Sequence, residues 1–416
     1  MQKIKTSKTL LLIYALFLYP IIIGRIALIC YGVVYGIPLA YLLVNYNIVN
    51  RLLGNISYRY ILVVTGIVTL FFLSIFVPVF ADTMDFSYIN VVLAIIRKAI
   101  ILLFLIVITM KKSKAVNAYQ FMYYFVLATC CYVFGTCVFL ACPPLKAYWQ
   151  AILGSSAYIH NLYSTYGYAA RFGWSGFSGF RATLDCTIGI VFSLCLFFEK
   201  ENPYRISSVF FTGATLTCFL GNLFYGRIGI IVSGICLLAG VILFHRIKIQ
   251  QCLLFAVACL ILGVIVLSVK DTVPALNDWY IWATTPIFNL LKTGSFNNYS
   301  ANHLLNDMIF VPAWQTILHG DGWYTDLATG LHYMKTDVGF MRQLLFWGLG
   351  GTLLSYFIVF SSLTLLSAKH KVLITLLFIV FVIFEIKGEV YYEIIPVAFL
   401  LGLVERREGK EINKLE

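Results

Sequence analysis

Charged residues are scarce in this chain. Only 12% of its 416 residues are Asp, Glu, Lys or Arg, whereas 61% are hydrophobic, and the mean hydropathy is +0.89. Soluble domains carry about 25% charged residues, so this composition excludes a soluble globular domain. It also excludes a disordered chain, because disorder requires charge and few apolar residues. With about 20 residues per membrane-crossing helix, the length leaves room for about twelve spans, and we predict an all-α polytopic membrane protein.

Several familiar motifs are missing. The chain has no C-x-x-C pair, no P-loop, no dinucleotide fingerprint and no G-x-S-x-G, which argues against ATP hydrolysis and serine hydrolase chemistry. Nine of its eleven cysteines fall within apolar runs, where cysteine behaves as a small hydrophobic residue. The other two, Cys142 and Cys186, lie near the predicted outer face and could form a disulfide. No metal-ligand spacing is present, and we predict neither a metal nor a cofactor.

Hydropathy and basic residues predict the topology. Breaks in hydropathy place spans near 9–24, 27–46, 60–80, 89–110, 119–141, 182–198, 206–225, 228–244, 251–269, 338–367, 372–386 and 390–404. Lysine and arginine precede the first span and recur in every second loop and at the end: Lys3, Lys5, Lys8, Arg51, Arg59, Lys111, Lys112, Lys114, Lys200, Arg205, Arg246, Lys248, Lys369, Lys371, Arg406, Arg407, Lys410 and Lys414. The positive-inside rule therefore places both termini in the cytoplasm. The net charge of +12 is explained by topology and leaves no footprint for nucleic acid.

Two of the predicted outer loops are long, residues 142–181 and 270–337, within a single membrane domain over residues 1–416. Loops of this length are usually functional or disordered. Both are rich in tyrosine and tryptophan, which argues against disorder. Such aromatic residues suit either the membrane interface or the stacking of sugar rings, and both uses remain open.

Basic residues away from the cytoplasmic loops indicate an anionic ligand. Arg171 and Arg181 flank a glycine-rich stretch, Arg227 opens a span, and Lys335 and Arg342 stand where the tenth span begins. Arginine binds phosphate through two parallel hydrogen bonds and stays charged at any working pH. Ion pairing or snorkelling is the alternative role for Lys335 and Arg342. Within the fourth span, at least one of Arg97 and Lys98 must face the interior, either toward a ligand or toward an acid.

The second long loop also holds acids and histidines: His303, Asp307, His319, Asp321, Asp326, His332 and Asp337. The run His319-Gly320-Asp321-Gly322-Trp323 predicts a tight turn that presents a histidine and a carboxylate. Asp337 precedes a helical run, where it could cap the helix or act in catalysis. In the first long loop, His160 is expected to make hydrogen bonds rather than act as a base.

Three stretches resemble a known family. They are Gly226-Arg227-Ile228-Gly229, the turn from His319 to Trp323, and the run from Thr336-Asp337 through Arg342 to Gly350-Gly351. With two long outer loops on a ten-to-twelve-span frame, the chain resembles the Wzy-type O-antigen polymerases and the related O-antigen ligases. Ligases typically have a His-Asn pair where Thr336-Asp337 stands here, and this departure favours a polymerase.

The resemblance implies a GT-C-like architecture and a glycosyltransferase of the bacterial inner membrane whose active site faces the periplasm. Such enzymes move a growing glycan from undecaprenyl diphosphate to a lipid-linked repeat unit. The implied catalytic residue is Asp337, with His319 and Asp321 as second choices. Arg171, Arg181, Arg227, Arg342, Lys335 and Trp323 would bind the diphosphate or the glycan. The implied partners are the undecaprenyl-diphosphate-linked oligosaccharide and the lipid bilayer, with a chain-length regulator and a flippase as further candidates.

Two alternatives remain. An O-antigen ligase would differ in its acceptor, lipid A–core. A secondary transporter of an anionic substrate would also suit twelve spans with embedded cations, but it would place polar residues at the midplane in paired broken helices. We find no internal repeat between residues 1–205 and 206–416.

Overall fold

The computed structural model describes residue 4 and residues 6–54, 56–113, 117–154, 171–244, 302–326 and 329–412, together with scattered positions within 257–294. The chain divides into two compact units. Unit 1 comprises Met1–Ala40, Lys111–Ser113 and Ala118–Phe296. Unit 2 comprises Tyr41–Met110, Lys114–Asn117 and Asn297–Glu416.

Helices account for most of the described structure. They are α1 (Lys8–Leu18), α2 (Ala27–Val44), α3 (Tyr46–Leu53), α4 (Tyr58–Phe80), α5 (Ile89–Ser113), α6 (Ala118–Ala141), α7 (Pro143–Leu153), α8 (Phe180–Phe198), α9 (Ser208–Tyr225), α10 (Arg227–Phe244), α11 (Trp314–His319), α12 (Gly339–Leu363), α13 (Lys371–Glu385) and α14 (Tyr391–Ile412). A short antiparallel hairpin, β1 (Phe172–Gly173) and β2 (Gly176–Phe177), precedes α8.

The prediction of an all-α polytopic membrane protein is confirmed. Within the described ranges, eight helices are long and apolar enough to cross a membrane: Gly24–Val44, Tyr58–Phe80, Phe86–Lys112, Ala118–Ala141, Phe180–Phe198, Ser208–Tyr225, Arg227–Phe244 and Gly339–Leu363. The count of twelve and the cytoplasmic termini stay predictions. The expected first span, 9–24, is shorter than predicted, since α1 has 11 residues and ends before Pro20. Helix α13 has 15 residues, the same length as the predicted span 372–386. Most of the predicted span 251–269, and His160, lie outside the described residues.

Unit 1 is organised around α8, whose residues are almost entirely buried against α6, α9 and α10. Glycine permits the close approach of α10. A Cβ atom on Gly229 would collide with Asn222 Oδ1, and one on Gly226 would lie 2.8 Å from Thr183 Oγ1. The Gly-Arg-Ile-Gly pattern therefore has a packing role in this unit.

The cysteine pairing considered from the sequence is wrong in the structure. Cys142 and Cys186 are both free thiols. Cys142 is exposed just before α7, whereas Cys186 is buried in α8, where its Sγ would lie 2.5 Å from a Cβ atom on Gly221. The neighbouring helix thus occupies the space around the Cys186 thiol.

Unit 2 is organised around α12, which packs on α4 and α14. This helix is interrupted at Gly348, whose φ of 69° is left-handed and therefore favours glycine. The broken helix and its partners position most of the candidate site residues.

Candidate functional site

The sequence-predicted site residues divide between the units. Arg171, Arg181 and Arg227 belong to unit 1, and His319, Asp321, Trp323, Lys335, Asp337 and Arg342 belong to unit 2. The geometry of each group is described separately.

The glycine turn predicted after His319 is present, and it docks on the break in α12. Gly320 and Gly322 have φ values of 72° and 69°, which L side chains rarely adopt. The amide of Asp321 donates to the carbonyl of Leu345 at 2.6 Å. The amide of Gly322 donates to the carbonyl of Phe346 at 3.1 Å. The turn thus satisfies two carbonyls next to the helix break.

The side chain of Asp321 is committed to this turn. Its Oδ1 accepts a 2.6 Å hydrogen bond from Thr316, and its Oδ2 accepts a 3.3 Å bond from the Tyr333 hydroxyl. Trp323 stacks on the same Tyr333, with ring centroids 6.4 Å apart. His319 is exposed beside the turn. This arrangement gives Asp321 a structural role and leaves the Trp323–Tyr333 pair as an aromatic platform.

A buried carboxylate that sequence reasoning did not single out anchors the segment after the turn. Asp85, between α4 and α5, is 3% exposed. Its Oδ2 accepts from the amides of Tyr324 and Thr325 at 2.7 and 2.8 Å, and its Oδ1 accepts from the amide of Ser87. Burial alone would raise the pKa of Asp85, but these hydrogen bonds and that of the Ser87 hydroxyl outweigh it and lower the pKa. Asp85 therefore ties this loop to unit 2 as a carboxylate.

The capping role considered for Asp337 is wrong. The N-cap of α12 is Val338, with no side-chain cap hydrogen bond. The Val338 amide instead meets Thr336 Oγ1 at 3.3 Å, and this buried threonine donates in turn to the carbonyl of Met308. Asp337 therefore does not cap α12, and its side chain is about half exposed at the start of this helix.

Asp337 faces a histidine instead. Its Oδ1 lies 3.7 Å from Nε2 of His332, and each side chain is a little under half exposed. Burial and the positive charge of Arg342 lower the pKa of His332, and Asp337 opposes them only in part. His332 is therefore neutral at neutral pH, with a carboxylate beside one ring nitrogen. The sequence reasoning grouped His332 with other titratable residues without selecting it.

Arg342 is part of a buried network. Its Nη1 lies 3.4 Å from Oε2 of Glu389, and its guanidinium lies 4.2 Å from the centroid of the Tyr324 ring. Glu389 also accepts hydrogen bonds from the hydroxyls of Tyr324 at 2.5 Å and Tyr88 at 2.7 Å. The side chain of Glu389 is 1% exposed and that of Arg342 is 11% exposed. The ion-pairing alternative for Arg342 is therefore the one observed.

Glu389 was missed because sequence alone gave it no partner. It lies between α13 and α14, in a loop that hydropathy already marked as a boundary. An acidic residue at the end of a span requires a cation or hydrogen-bond donors nearby. The partners of Glu389 lie 47 or more positions away in the sequence. Only the fold brings them together.

Among the other predicted cations, Lys98 faces the interior, as expected of at least one member of its pair. Its Nζ lies 2.8 Å from Glu393 Oε2, and both side chains are almost fully buried. Arg97 is partly exposed and donates to the carbonyl of Asn90. Lys335 is exposed, and its φ of 55° is in the left-handed region.

The unit 1 arginines occupy helix starts and the hairpin. Arg227 is the first residue of α10, and Arg181 is the second residue of α8. The carbonyl of Arg171 accepts from the amide of Ser178, which closes the hairpin before α8. Trp174 in the hairpin turn donates from its indole to the carbonyl of Tyr19.

Comparisons with family models, with curated proteins and with solved structures found no match to the chain. Within the described ranges, no group of three His, Cys, Asp or Glu side chains could hold a metal ion. The fold and its apolar helices define the class, a multi-pass α-helical membrane protein.

Proposed function

We propose that this protein is a surface-polysaccharide polymerase of the inner membrane. It would transfer a growing glycan from undecaprenyl diphosphate to a lipid-linked repeat unit at the periplasmic face. The observation that carries the proposal is the convergence of His332, Asp337 and Arg342 at the start of α12, on the predicted outer side. A neutral histidine with an adjacent carboxylate is the arrangement that a general base requires.

The proposed reaction uses that arrangement directly. Asp337, whose Oδ1 lies 3.7 Å from Nε2 of His332, would accept from Nε2–H once substrate binding shortens this distance, and Nδ1 would then take the proton of the acceptor hydroxyl. The acceptor oxygen then bonds to the anomeric carbon of the growing glycan. The bond from that carbon to the diphosphate oxygen breaks, and undecaprenyl diphosphate departs with the electron pair. This assignment makes His332 the base and Asp337 its positioning residue.

Cations serve the leaving group in this proposal. Negative charge develops on the diphosphate as its bond to the sugar breaks, and fixed positive groups stabilise that charge. In unit 2 the exposed Lys335 would contact the diphosphate, while burial and, second, the charge of Arg342 lower the pKa of His332 and favour its neutral form. The diphosphate contacts predicted from the sequence for Arg171, Arg181 and Arg227 stay predictions. The donor is already activated by its diphosphate, so the proposed step needs no metal or nucleotide.

The test is an in vitro reaction with purified protein and its cognate lipid-diphosphate-linked repeat unit, read as a ladder on a gel. His332→Gln should abolish the ladder, and Asp337→Asn should slow it by about 10²-fold or more, in line with loss of general-base catalysis. His303→Gln is the matched control, because His303 forms a similar but exposed pair with Asp307. A folded wild type that makes no ladder, or a His332→Gln variant with full activity, would refute the proposal.

The break in α12 favours one second candidate, a transporter of an anionic substrate, since transporters use discontinuous helices to bind substrates. Here, however, the carbonyls beside the break accept hydrogen bonds from Asp321 and Gly322 rather than facing an open site. Uptake of the lipid-free substrate into proteoliposomes, without sugar transfer, would establish the transporter. If the ladder forms only after lipid A–core is added, the protein is a ligase.

A further inference from the structure

Helix α7, in the first long loop, exposes a face without charged residues. Leu145 is 41% exposed and Tyr148 is 66% exposed. With the partly buried Ile152, they follow the i, i+3, i+7 spacing that places side chains on one face of a helix. The remaining exposed positions of α7 are also uncharged: Pro143, Pro144, Ala147 and Ala151. An exposed apolar face of this kind marks an interaction surface.

The two polar side chains on the other side of α7 lie against the protein. The ammonium of Lys146 is 5.7 Å from the centroid of the Phe172 ring, and burial lowers the pKa of this lysine to about 8. Gln150 is 6% exposed. A helix that faced water would turn such groups outward and its apolar residues inward. In α7 the arrangement is reversed, which indicates that its exposed face does not lie in water.

Packing within unit 1 fixes the orientation of α7. Trp149 stacks on Phe139 of α6, with ring centroids 6.4 Å apart, and its indole donates to the carbonyl of Trp174 at 2.9 Å. Leu153 belongs to a buried cluster with Phe139 and Phe172. The exposed face therefore cannot turn inward without breaking these contacts.

Both ends of α7 lie at the ends of membrane-crossing helices. A single residue, Cys142, separates α7 from the end of the span Ala118–Ala141. At its other end, a Cβ atom on Gly24 would lie 2.9 Å from the carbonyl oxygen of Leu153, and Gly24 begins the span Gly24–Val44. The 11 residues of α7 extend about 16 Å, whereas the hydrocarbon core is about 30 Å thick, so both span ends lie on the same side of the membrane. Helix α7 therefore runs along that membrane surface from the end of one span to the start of another.

We propose that α7 is an interfacial helix whose Leu145 and Tyr148 insert between the lipid headgroups and the first methylenes of the acyl chains. Interfacial helices bury an apolar face about 5–10 Å into this boundary. Tyrosine is favoured there, because its ring is apolar and its hydroxyl stays in the headgroup layer. The proposal does not depend on the enzymatic activity, and it assigns Tyr148 to the membrane interface rather than to sugar stacking.

The test measures fluorescence quenching of the full-length Tyr148→Trp variant in phosphatidylcholine vesicles. The reporter signal is the emission that the variant adds to that of the wild type. Phosphatidylcholine brominated near the glycerol end of its acyl chains should remove at least half of this signal. Lipid brominated near the methyl end, and aqueous iodide on both sides of the membrane, should each remove less. Trp149 is the matched control on the other side of the same helix, and its signal, the difference between wild type and Trp149→Phe, should respond less to every quencher because this indole stacks on Phe139.

A second variant covers the case in which Tyr148→Trp does not fold. Leu145→Trp adds a reporter one turn earlier on the same face, and the same pattern of quenching is expected. Quenching of the reporter by iodide but by neither brominated lipid would place the exposed face in water and overturn the proposal. Stronger quenching by lipid brominated near the methyl end would place α7 in the hydrocarbon core, and resistance to all three quenchers would mean that another protein surface covers it. Each of these results also overturns the proposal.

Discussion

Removal of the Glu389 carboxylate should unfold unit 2 more readily than any surface substitution. Glu389 is the common acceptor for Arg342, Tyr88 and Tyr324, and its side chain is 1% exposed. In Glu389→Leu, the guanidinium loses its counter-charge while Arg342 remains 89% buried, given its exposure of 11%. Both tyrosine hydroxyls also lose their acceptor.

The magnitude follows from those three losses. Breaking a buried ion pair by removing one partner costs about 3–5 kcal/mol. A buried hydroxyl without its acceptor costs about 1–3 kcal/mol. The terms overlap because one carboxylate serves all three donors, so we expect a decrease in the free energy of unfolding of at least about 3 kcal/mol. Glu389→Gln, which keeps an acceptor oxygen, should cost less than Glu389→Leu.

The assay is equilibrium unfolding in mixed micelles, with the free energy extrapolated from the denaturing detergent fraction. Asp307→Asn is the surface control and should lie within about 0.5 kcal/mol of wild type, because the His303–Asp307 pair is exposed. The double variant Arg342→Met, Glu389→Leu should be less destabilised than the sum of the single variants. Additive effects, or a Glu389→Leu cost below about 1 kcal/mol, would refute the network.

Three further predictions test the docking of the Asp321 turn on α12, the lowered pKa of His332 and the hydrogen bonds of Asp85. Gly348→Ala should lower the free energy of unfolding by about 1–3 kcal/mol, because the left-handed φ is strained for alanine and the new Cβ would meet the Leu318 carbonyl. Gly350→Ala is the control and should be neutral in the same unfolding assay, because no atom lies within 4 Å of its new Cβ. Equal effects of the two substitutions would contradict the docking of the turn on α12. His332 has a lowered pKa in the folded state, so its contribution to stability is present above its ordinary pKa of about 6.5. This contribution is lost as pH falls through that value and the folded pKa. His332→Gln should flatten this part of the stability–pH curve, whereas His303→Gln should not. Asp85→Ala should leave the Tyr324 and Thr325 amides without an acceptor. The free energy of unfolding should fall by about 1–3 kcal/mol, and the hydrogen exchange of the two amides should become faster. Asp82→Ala, at an exposed neighbouring position, should leave that exchange unchanged.

Long apolar runs predicted most helices because lipid imposes the same demand on every span. Each backbone N–H and C=O group of a span must form its hydrogen bond within the same helix. A long uncharged run therefore predicts a helix whatever the rest of the chain does. The helices α4, α6 and α8 to α10 lie close to their predicted bounds for this reason. The glycine turn around Asp321 was also predictable, since glycine reports a backbone requirement locally.

Side-chain partnerships were not predictable in the same way. Asp337 precedes a helix and has the chemistry of a cap, yet Thr336 contacts the Val338 amide and Asp337 faces His332. Asp85 and Glu389 lie in short loops, which a hydropathy profile shows only as boundaries between spans. Their roles come from donors 239 and 65 positions away, which only the fold places within hydrogen-bond distance.

By itself the sequence determined that this protein crosses a membrane through many helices, because the transfer of apolar side chains from water is local and additive along the chain. It also determined the glycine turn around Asp321. The tertiary structure alone decided that α12 breaks at Gly348, that the Asp321 turn covers the break, and that Glu389 neutralises Arg342. Those outcomes depend on short-range hydrogen bonds and ion pairs, which form only between groups that the packed helices bring within about 3 to 4 Å.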